Sequence, residues 1–203
     1  MRVIIFGATG KTGQHAVRCA LDGSHTTTAF GRSVDRLSAE SALTLTRGDV
    51  FDAEVVSDAV AGHDAAIVCL GSTSLKDRTT LTRGTEHIVN AVDRHGVGRL
   101  VVVSAAGVGE SWAQIPWSSK LMFKTMLRNL FADHQAQEEV VRESAANWTV
   151  VRSAVLSDKH EPRAVSASNT DKTSRIHRAA LAGFLVDQLG DSAYSRQAIT
   201  VTS

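Results

Sequence analysis

Three glycines spaced three residues apart lie between the first apolar strand pattern and the first helical pattern of this chain. Glycines at this spacing let the backbone turn tightly, approach a pyrophosphate closely and pack a helix against a strand. The start of that helix offers free N–H groups and the positive end of its dipole to phosphates. The pattern therefore predicts a dinucleotide-binding loop, formed by Gly7-Ala8-Thr9-Gly10-Lys11-Thr12-Gly13.

A nucleoside triphosphate loop is the main alternative, because Gly10-Lys11-Thr12 resembles the end of such a loop. That loop also needs a glycine five residues before Gly10, where this chain has Ile5. In addition, none of the predicted strands ends in an acidic residue placed to hold magnesium. The sequence therefore disfavours a kinase or an NTPase.

Short β-branched runs alternate with helical patterns, which is the layout of successive βαβ units. We predict an α/β fold: a Rossmann-type doubly wound parallel sheet of about six to seven strands in a single domain over residues 1–203, with small substrate-pocket elements at about 105–145 and 153–175. The predicted strands are Arg2–Phe6, Thr26–Phe30, Leu43–Thr46, Ala65–Leu70, Leu100–Val103, Thr149–Arg152 and Ala198–Thr202. The predicted helices are 12–22, 34–41, 52–61, 78–95, 118–145 (broken near Ala132-Asp133) and 176–189. Residues 121–131 repeat apolar side chains at helical spacing, which suits either a core face or a pocket wall.

The composition and charge of the chain disfavour several classes of binding partner. The 203 residues carry 22 Lys and Arg against 21 Asp and Glu, a formal net charge of +1, so no electrostatic pull toward nucleic acid or an anionic membrane is expected. Cys19 and Cys69 lack metal-ligand spacing and are interpreted as reduced core residues. We expect a cytoplasmic protein without a membrane span or a metal site, acting as a monomer or weak dimer on a small molecule.

The end of the second predicted strand bears on the choice of cofactor. An acid there would accept hydrogen bonds from an NAD ribose, but this chain has Arg32 and Ser33, with Arg36 one turn later. A guanidinium suits the additional 2′-phosphate of NADP as a bidentate partner. The sequence therefore favours NADPH over NADH.

Two further strand ends fit the same ligand. Asp49 could accept from the adenine amino group while Val50 packs on the ring, and the missing side chain of Gly71 permits close approach to the ribose. Carboxyl ends of parallel strands share the sheet edge that binds ligands. The predicted cofactor-binding residues are Gly7, Thr9, Gly10, Lys11, Thr12, Gly13, Arg32, Ser33, Arg36, Asp49, Val50, Leu70, Gly71, Ser72, Val103, Ser104, Ala105 and Val155.

Several of these segments together resemble a known family. The chain resembles an atypical short-chain dehydrogenase/reductase and is similar to the NADPH-dependent biliverdin-IXβ reductase/flavin reductase family. The resemblance rests on Phe6 to Gly13, Gly48-Asp49-Val50, Ala61 to Val68, Leu70-Gly71, His95-Gly96-Val97, Asp133-His134 and Val141-Arg142-Glu143-Ser144. It implies hydride transfer to a planar conjugated acceptor in a wide apolar pocket.

The same resemblance assigns residues to the reacting end of the pocket. Val103-Ser104-Ala105 match the family's small residues beside the nicotinamide, and His134 matches its pocket histidine. The chain departs from the family at Ser153-Ala154-Val155-Leu156, where prolines and a second pocket histidine are lost. This departure bears on the substrate more than on the cofactor.

A proton donor is the least determined part of the site. Ordinary short-chain dehydrogenases use a tyrosine four residues before a lysine, whereas here the only tyrosine is Tyr194, with Ala198 four later. His134, with Glu138 one turn on, is the candidate acid or orienting group; capping, solvent exposure and a two-ligand metal site are alternatives. Ser104 either contacts the cofactor or acceptor or caps a turn.

These features predict an NADPH-dependent oxidoreductase with Ser104 and His134 as candidate catalytic residues. Its acceptor would be a flavin, a quinone or a biliverdin-like tetrapyrrole, with FMN or FAD as substrate rather than prosthetic group. Two alternatives remain. One is an NmrA-like regulatory protein that senses NADPH without turnover, and the other is a carbonyl reductase with an atypical acid.

Overall fold

The computed structural model describes residues 1–72, 78–115, 127–158 and 164–203. Ten strands and five α-helices are described within these ranges. The strands are β1 Arg2–Phe6, β2 Thr26–Gly31, β3 Leu43–Arg47, β4 Ala65–Val68, β5 Arg99–Ala105, β6 Asn147–Ser153, β7 Val155–Ser157, β8 Ser166–Ala167, β9 Arg175–His177 and β10 Gln197–Thr202. The helices are α1 Lys11–Asp22, α2 Ala53–Val60, α3 Thr80–Arg94, α4 Arg128–Glu143 and α5 Arg178–Asp187.

An eight-stranded sheet in the order β3-β2-β1-β4-β5-β6-β10-β8 organises the chain. Its first seven strands run parallel and correspond to the seven strand predictions, which are confirmed. The eighth, β8, pairs antiparallel with β10 and was not predicted. From β1 the chain builds outward to β3 on one side and then crosses over to β4 on the other. A ligand crevice is expected at this reversal, outside the carboxyl ends of β1 and β4.

Both faces of the sheet are covered by helices, so its central strands are apolar on both sides. Along β1, Val3 and Ile5 join the core beneath α1 and α5, while Ile4 and Phe6 join the core beneath α2, α3 and α4. All four side chains are fully buried. The two cores hold the sheet rigid beneath the loops that follow its strands.

Two helix predictions are wrong in part. The predicted helix 34–41 is only a 3-10 turn over Val34–Arg36, since Leu37 is extended and the residues after it are exposed and polar or small. The predicted break near Ala132-Asp133 does not occur, and α4 runs through it. Residues 118–126 of that predicted helix lie outside the described residues.

Candidate active site

The glycine loop adopts a geometry that requires glycine at two of its positions. Gly7 has a φ of +72°, and a Cβ there would lie 2.4 Å from the carbonyl oxygen of Cys69. A Cβ on Gly13 would lie 2.1 Å from the carbonyl oxygen of Gly7. Helix α1 therefore packs directly on the end of β1, as the glycine spacing predicts.

The first turn of α1 is open to a ligand. Gly10 is the N-cap residue, and no side chain caps the helix there. The N–H groups of the first turn have no partners within their own helix, because a helix leaves its first donors unsatisfied. Gly10, Lys11 and Thr12 also line a cavity, so the loop fits a pyrophosphate on chemical grounds.

One cavity of about 930 Å³ runs from this loop across the carboxyl ends of β4, β5 and β6. Its lining contains predicted cofactor residues from four separate segments: Gly10, Lys11, Thr12, Leu70, Gly71, Ser72, Val103, Ser104, Ala105 and Val155. His134 lines it as well. Its lining also includes five large apolar side chains, those of Ile115, Leu127, Leu130, Phe131 and Leu156. The pocket wall therefore includes three residues of the predicted apolar repeat, Leu127, Leu130 and Phe131. The earlier residues of that repeat lie outside the described residues.

The other predicted cofactor residues lie outside the cavity lining. The Gly48 N–H donates to the carbonyl oxygen of Gly31 at 3.2 Å, which places the segments after β2 and β3 side by side. Arg32 is exposed, and its side chain has no hydrogen bond or ion pair with the described residues. Asp49 is half-buried and accepts from the Phe51 N–H at 3.1 Å. Gly7, Thr9 and Gly13 form the body of the glycine loop, and Ser33, Arg36 and Val50 flank the exposed strand ends.

Ser104 is tied to a buried ion pair. Its hydroxyl donates to Oε1 of Glu138 at 2.7 Å. The guanidinium of Arg152 donates to both oxygens of the same carboxylate, from Nε at 2.9 Å and from Nη2 at 2.6 Å. The side chains of Arg152 and Glu138 are 0% and 2% exposed. Hydrogen bonding and attraction to Glu138 and Glu110 raise the pKa of Arg152, against the opposing effect of its burial.

His134 is held by an amide and not by Glu138, so the predicted imidazole–carboxylate hydrogen bond is wrong. Its Nδ1 lies 3.1 Å from Oε1 of Gln137, and Gln137 in turn donates to Thr85 Oγ1 at 3.0 Å. With the proton on Nδ1, the Nε2 atom is left as an acceptor. Burial lowers the pKa of His134 despite the opposing effects of Gln137 and the nearby acids. The ring is therefore neutral near pH 7.

The lowered pKa of His134 gives a pH dependence of stability. The unfolded chain protonates this histidine near pH 6.5, but the folded protein does so only at lower pH. The contribution of neutral His134 to the free energy of unfolding is thus fully present above about pH 6.5. It is lost as the pH falls, by at most about 1.4 kcal/mol per pH unit. We expect denaturant unfolding between pH 7.5 and pH 5.5 to show a larger loss of stability for the wild type than for His134→Asn. Parallel losses in the two proteins would contradict this assignment.

Asp133, the other half of the Asp133-His134 motif, has a structural role. Its carboxylate accepts from the backbone N–H groups of Leu81 and Thr82, each at 3.0 Å, and from the Thr82 hydroxyl at 2.6 Å. These donors lie in the first turn of α3, so Asp133 caps that helix from α4. Asp133 is therefore the capping residue of this pair, whereas His134 lines the cavity.

A charged contact at the cavity mouth was not predicted. Asp158 forms ion pairs with Lys11, at 2.9 Å, and with Arg178. Both cations line the cavity. The contact joins the glycine loop to the segment after β7 and the start of α5. Sequence spacing carries no signal for it, because the three residues come from three distant segments.

Neither a membrane-spanning helix nor a metal-binding cluster is found among residues 1–72, 78–115, 127–158 and 164–203. The helices in these ranges are too short or too polar to cross a bilayer. They also contain no cluster of three or more His, Cys, Asp or Glu side chains that could hold a metal ion.

A parallel sheet with a cavity at the carboxyl ends of its strands is typical of nucleotide-binding α/β domains, and sequence comparison identifies the family. The profile of the NAD(P)H-binding family matches residues 7–192. The chain therefore belongs to this NAD(P)H-binding family, which is a family of NAD(P)H-dependent oxidoreductases.

Curated and structural relatives agree with this placement. The 3 beta-hydroxysteroid dehydrogenase/Delta 5-->4-isomerase of Mycobacterium tuberculosis is 34% identical over 119 residues, which cover 53% of this chain and 32% of that protein. The chain thus matches about a third of that relative's length. A Veillonella parvula short-chain dehydrogenase/reductase in complex with NADP superimposes with a TM-score of 0.85 at 20% identity, covering 100% of this chain and 94% of the other. The anaerobilin reductase ChuY of Escherichia coli O157:H7 gives 0.79 at 19% identity, covering 100% and 97%. At these identities the structural likeness shows a shared fold.

Proposed function

We propose that the protein is an NADPH-dependent oxidoreductase that passes hydride to a planar conjugated acceptor such as a flavin, a quinone or a bilin. The observation that carries this proposal is that one cavity is lined by the glycine loop, by Ser104 and His134 and by several large apolar side chains. Bound NADPH would supply the hydride from its nicotinamide ring. A bilin acceptor also has support from the name of the structural relative ChuY.

The position of the only tyrosine supports an acceptor that needs no protein acid. Tyr194 packs on Phe184 with ring centroids 6.0 Å apart, and its carbonyl oxygen accepts from Thr149 Oγ1. Thr149 and Tyr194 lie where β6 and β10 begin, which is the opposite sheet edge from the cavity. Tyr194 is therefore not a proton donor for a substrate in that cavity.

The groups that face the reacting end accept hydrogen bonds. His134 presents Nε2 when its proton is on Nδ1, and the hydroxyl hydrogen of Ser104 is engaged in a hydrogen bond to Glu138. Simple ketones need a proton at the nascent alkoxide, whereas reduced flavins and quinones can take theirs from water. The site therefore favours planar redox acceptors over ketones.

An assay of NADPH oxidation with FMN, FAD, quinones and biliverdin tests the proposal. We expect turnover with at least one of them, and we expect His134→Ala to keep flavin reduction within about tenfold of wild type, because proton donation by a side chain contributes about 10²–10⁴-fold where it is needed. His25→Ala is the matched control, because His25 lies just before β2, at the opposite edge of the sheet. A collapse of more than about 100-fold in His134→Ala alone would favour the carbonyl reductase alternative. NADPH binding without turnover on any acceptor would contradict the proposal and favour a sensor.

A further inference from the structure

The Ser104 hydroxyl has one proton, and the fold already uses it. Ser104 donates to Oε1 of Glu138 at 2.7 Å, and a carboxylate can only accept. Ser104 is 1% exposed, yet it lines the cavity beside Val103 and Ala105. Toward the cavity its oxygen therefore offers lone pairs and no proton.

The carboxylate is itself held in place by cations. Arg152 binds it through two nitrogens, and Arg142 approaches Oε2 at 3.4 Å. Strand register places Ser104 directly opposite Arg152 on the neighbouring strand. A planar guanidinium fork fixes the carboxylate plane, so Oε1 stays directed at the serine.

We propose that Glu138, held by Arg152, is a positioning residue that keeps Ser104 as a hydrogen-bond acceptor for the carboxamide N–H of the nicotinamide. The inference rests on the proposed placement of the nicotinamide beside Ser104. Without the carboxylate the serine hydroxyl could rotate and donate into the cavity instead. By fixing the direction of the serine O–H bond, Glu138 would determine which polar group of the nicotinamide the pocket binds.

Cofactor analogues test this by equilibrium binding, with no turnover required. The 3-acetylpyridine analogue of NADP⁺ replaces the carboxamide NH₂ by a methyl group of similar size, while the thionicotinamide analogue keeps the NH₂. We expect wild type to bind NADP⁺ about fivefold to tenfold more tightly than the acetyl analogue, the factor of one hydrogen bond, and to bind the thionicotinamide analogue like NADP⁺.

Two variants remove the contact in different ways. Ser104→Ala deletes the acceptor, and the double variant Glu138→Met, Arg152→Met replaces the buried ion pair by apolar side chains, an exchange that folded proteins often tolerate. We expect the preference for NADP⁺ over the acetyl analogue to fall to within about twofold in both. Adding Ser104→Ala to the double variant should lower it no further, because both changes remove the same interaction.

Glu110→Gln is the matched control. Glu110 also accepts from Arg152, at 3.1 Å, but it does not contact Ser104 and is exposed. We expect this variant to keep the wild-type preference. Loss of the preference in Glu110→Gln would overturn the proposal, because the selectivity would then follow the charge around Arg152.

The remaining outcomes are also decisive. A preference kept by Ser104→Ala, or by a folded double variant, overturns the proposal. If thermal melting shows that the double variant is unfolded, Glu138→Asp replaces it: this change keeps the charge beside Arg152 and withdraws the carboxylate from Ser104 by one methylene. A wild-type preference in Glu138→Asp would likewise overturn the proposal. These binding ratios can be measured even if the protein turns over no acceptor. A failure of the proposed oxidoreductase activity is therefore distinguishable from a failure of the proposed role of Glu138.

Discussion

Replacing Arg32 by Glu is expected to weaken NADPH binding by about 100-fold or more while changing NADH binding by less than about threefold. Arg32 follows β2, is exposed, and has no ion pair with the described residues. A charge-assisted bidentate contact to the 2′-phosphate contributes about 1.5–3 kcal/mol, and a glutamate at that place adds repulsion. The same carboxylate can accept from the ribose hydroxyls of NADH. Calorimetric titration of both cofactors into both proteins measures the difference.

Arg94→Glu is the control for the change in net charge. Arg94 ends α3 at the opposite edge of the sheet, where its Nη1 approaches Ser57. We expect it to leave both affinities near those of wild type. Equal losses of NADPH and NADH affinity in Arg32→Glu would remove the NADPH assignment.

Gly13→Ala is expected to destabilise the protein by about 3 kcal/mol or more and to abolish cofactor binding in whatever fraction remains folded. The added methyl would lie 2.1 Å from the Gly7 carbonyl oxygen and 2.9 Å from the Ala8 Cα, and backbone cannot rotate away as a side chain can. Overpacking in rigid interiors usually costs about 1–3 kcal/mol, and a clash between backbone segments lies at or beyond the upper end. The free energy of unfolding from denaturant titration is the measurement.

Gly183→Ala provides the matched comparison within another helix. Gly183 lies in α5, and a Cβ there meets nothing within 4 Å. Alanine in a helix interior is favoured over glycine by about 0.5–1 kcal/mol, so this variant should be as stable as wild type or more stable. Wild-type stability in Gly13→Ala would contradict the close packing of α1 on β1.

The residues of the glycine loop were predictable because their requirement is local. Backbone turn, helix start and close packing all fall within seven residues, and the positive φ of Gly7 shows that the turn is one that favours glycine. The seven parallel strands were predictable for a similar reason, since each is a short run rich in β-branched or apolar residues. Strands β7, β8 and β9 are only two or three residues long, and nothing in their composition separates them from loops.

The partners of the candidate catalytic residues were harder to predict. Helical spacing put Glu138 within reach of His134, but spacing alone does not give side-chain direction, and Gln137 is the residue that bonds the imidazole. Glu138 faces the sheet, where it meets Ser104 and Arg152. One signal was available: Arg152 is a charged residue within the otherwise apolar run Val150-Val151-Arg152 of a central strand. A buried guanidinium needs hydrogen-bond acceptors, and here the neighbouring helix α4 supplies the carboxylate of Glu138.

Helix ends were the other source of error. The expected break at Ala132-Asp133 does not occur, although aspartate in general favours helix caps over helix interiors. In the structure Asp133 does cap a helix, but the helix is α3, across the interface between the two helices. A sequence pattern identifies a capping residue more easily than it identifies the helix that the residue caps.

Isothermal titration calorimetry of NADPH and NADH into the wild-type protein tests the central claim most directly. The open first turn of α1, the cavity beside it and the exposed Arg32 predict saturable binding of NADPH, tighter than that of NADH by at least about tenfold at moderate salt. No heat of binding for either nucleotide would contradict both the proposed enzyme and the sensor alternative.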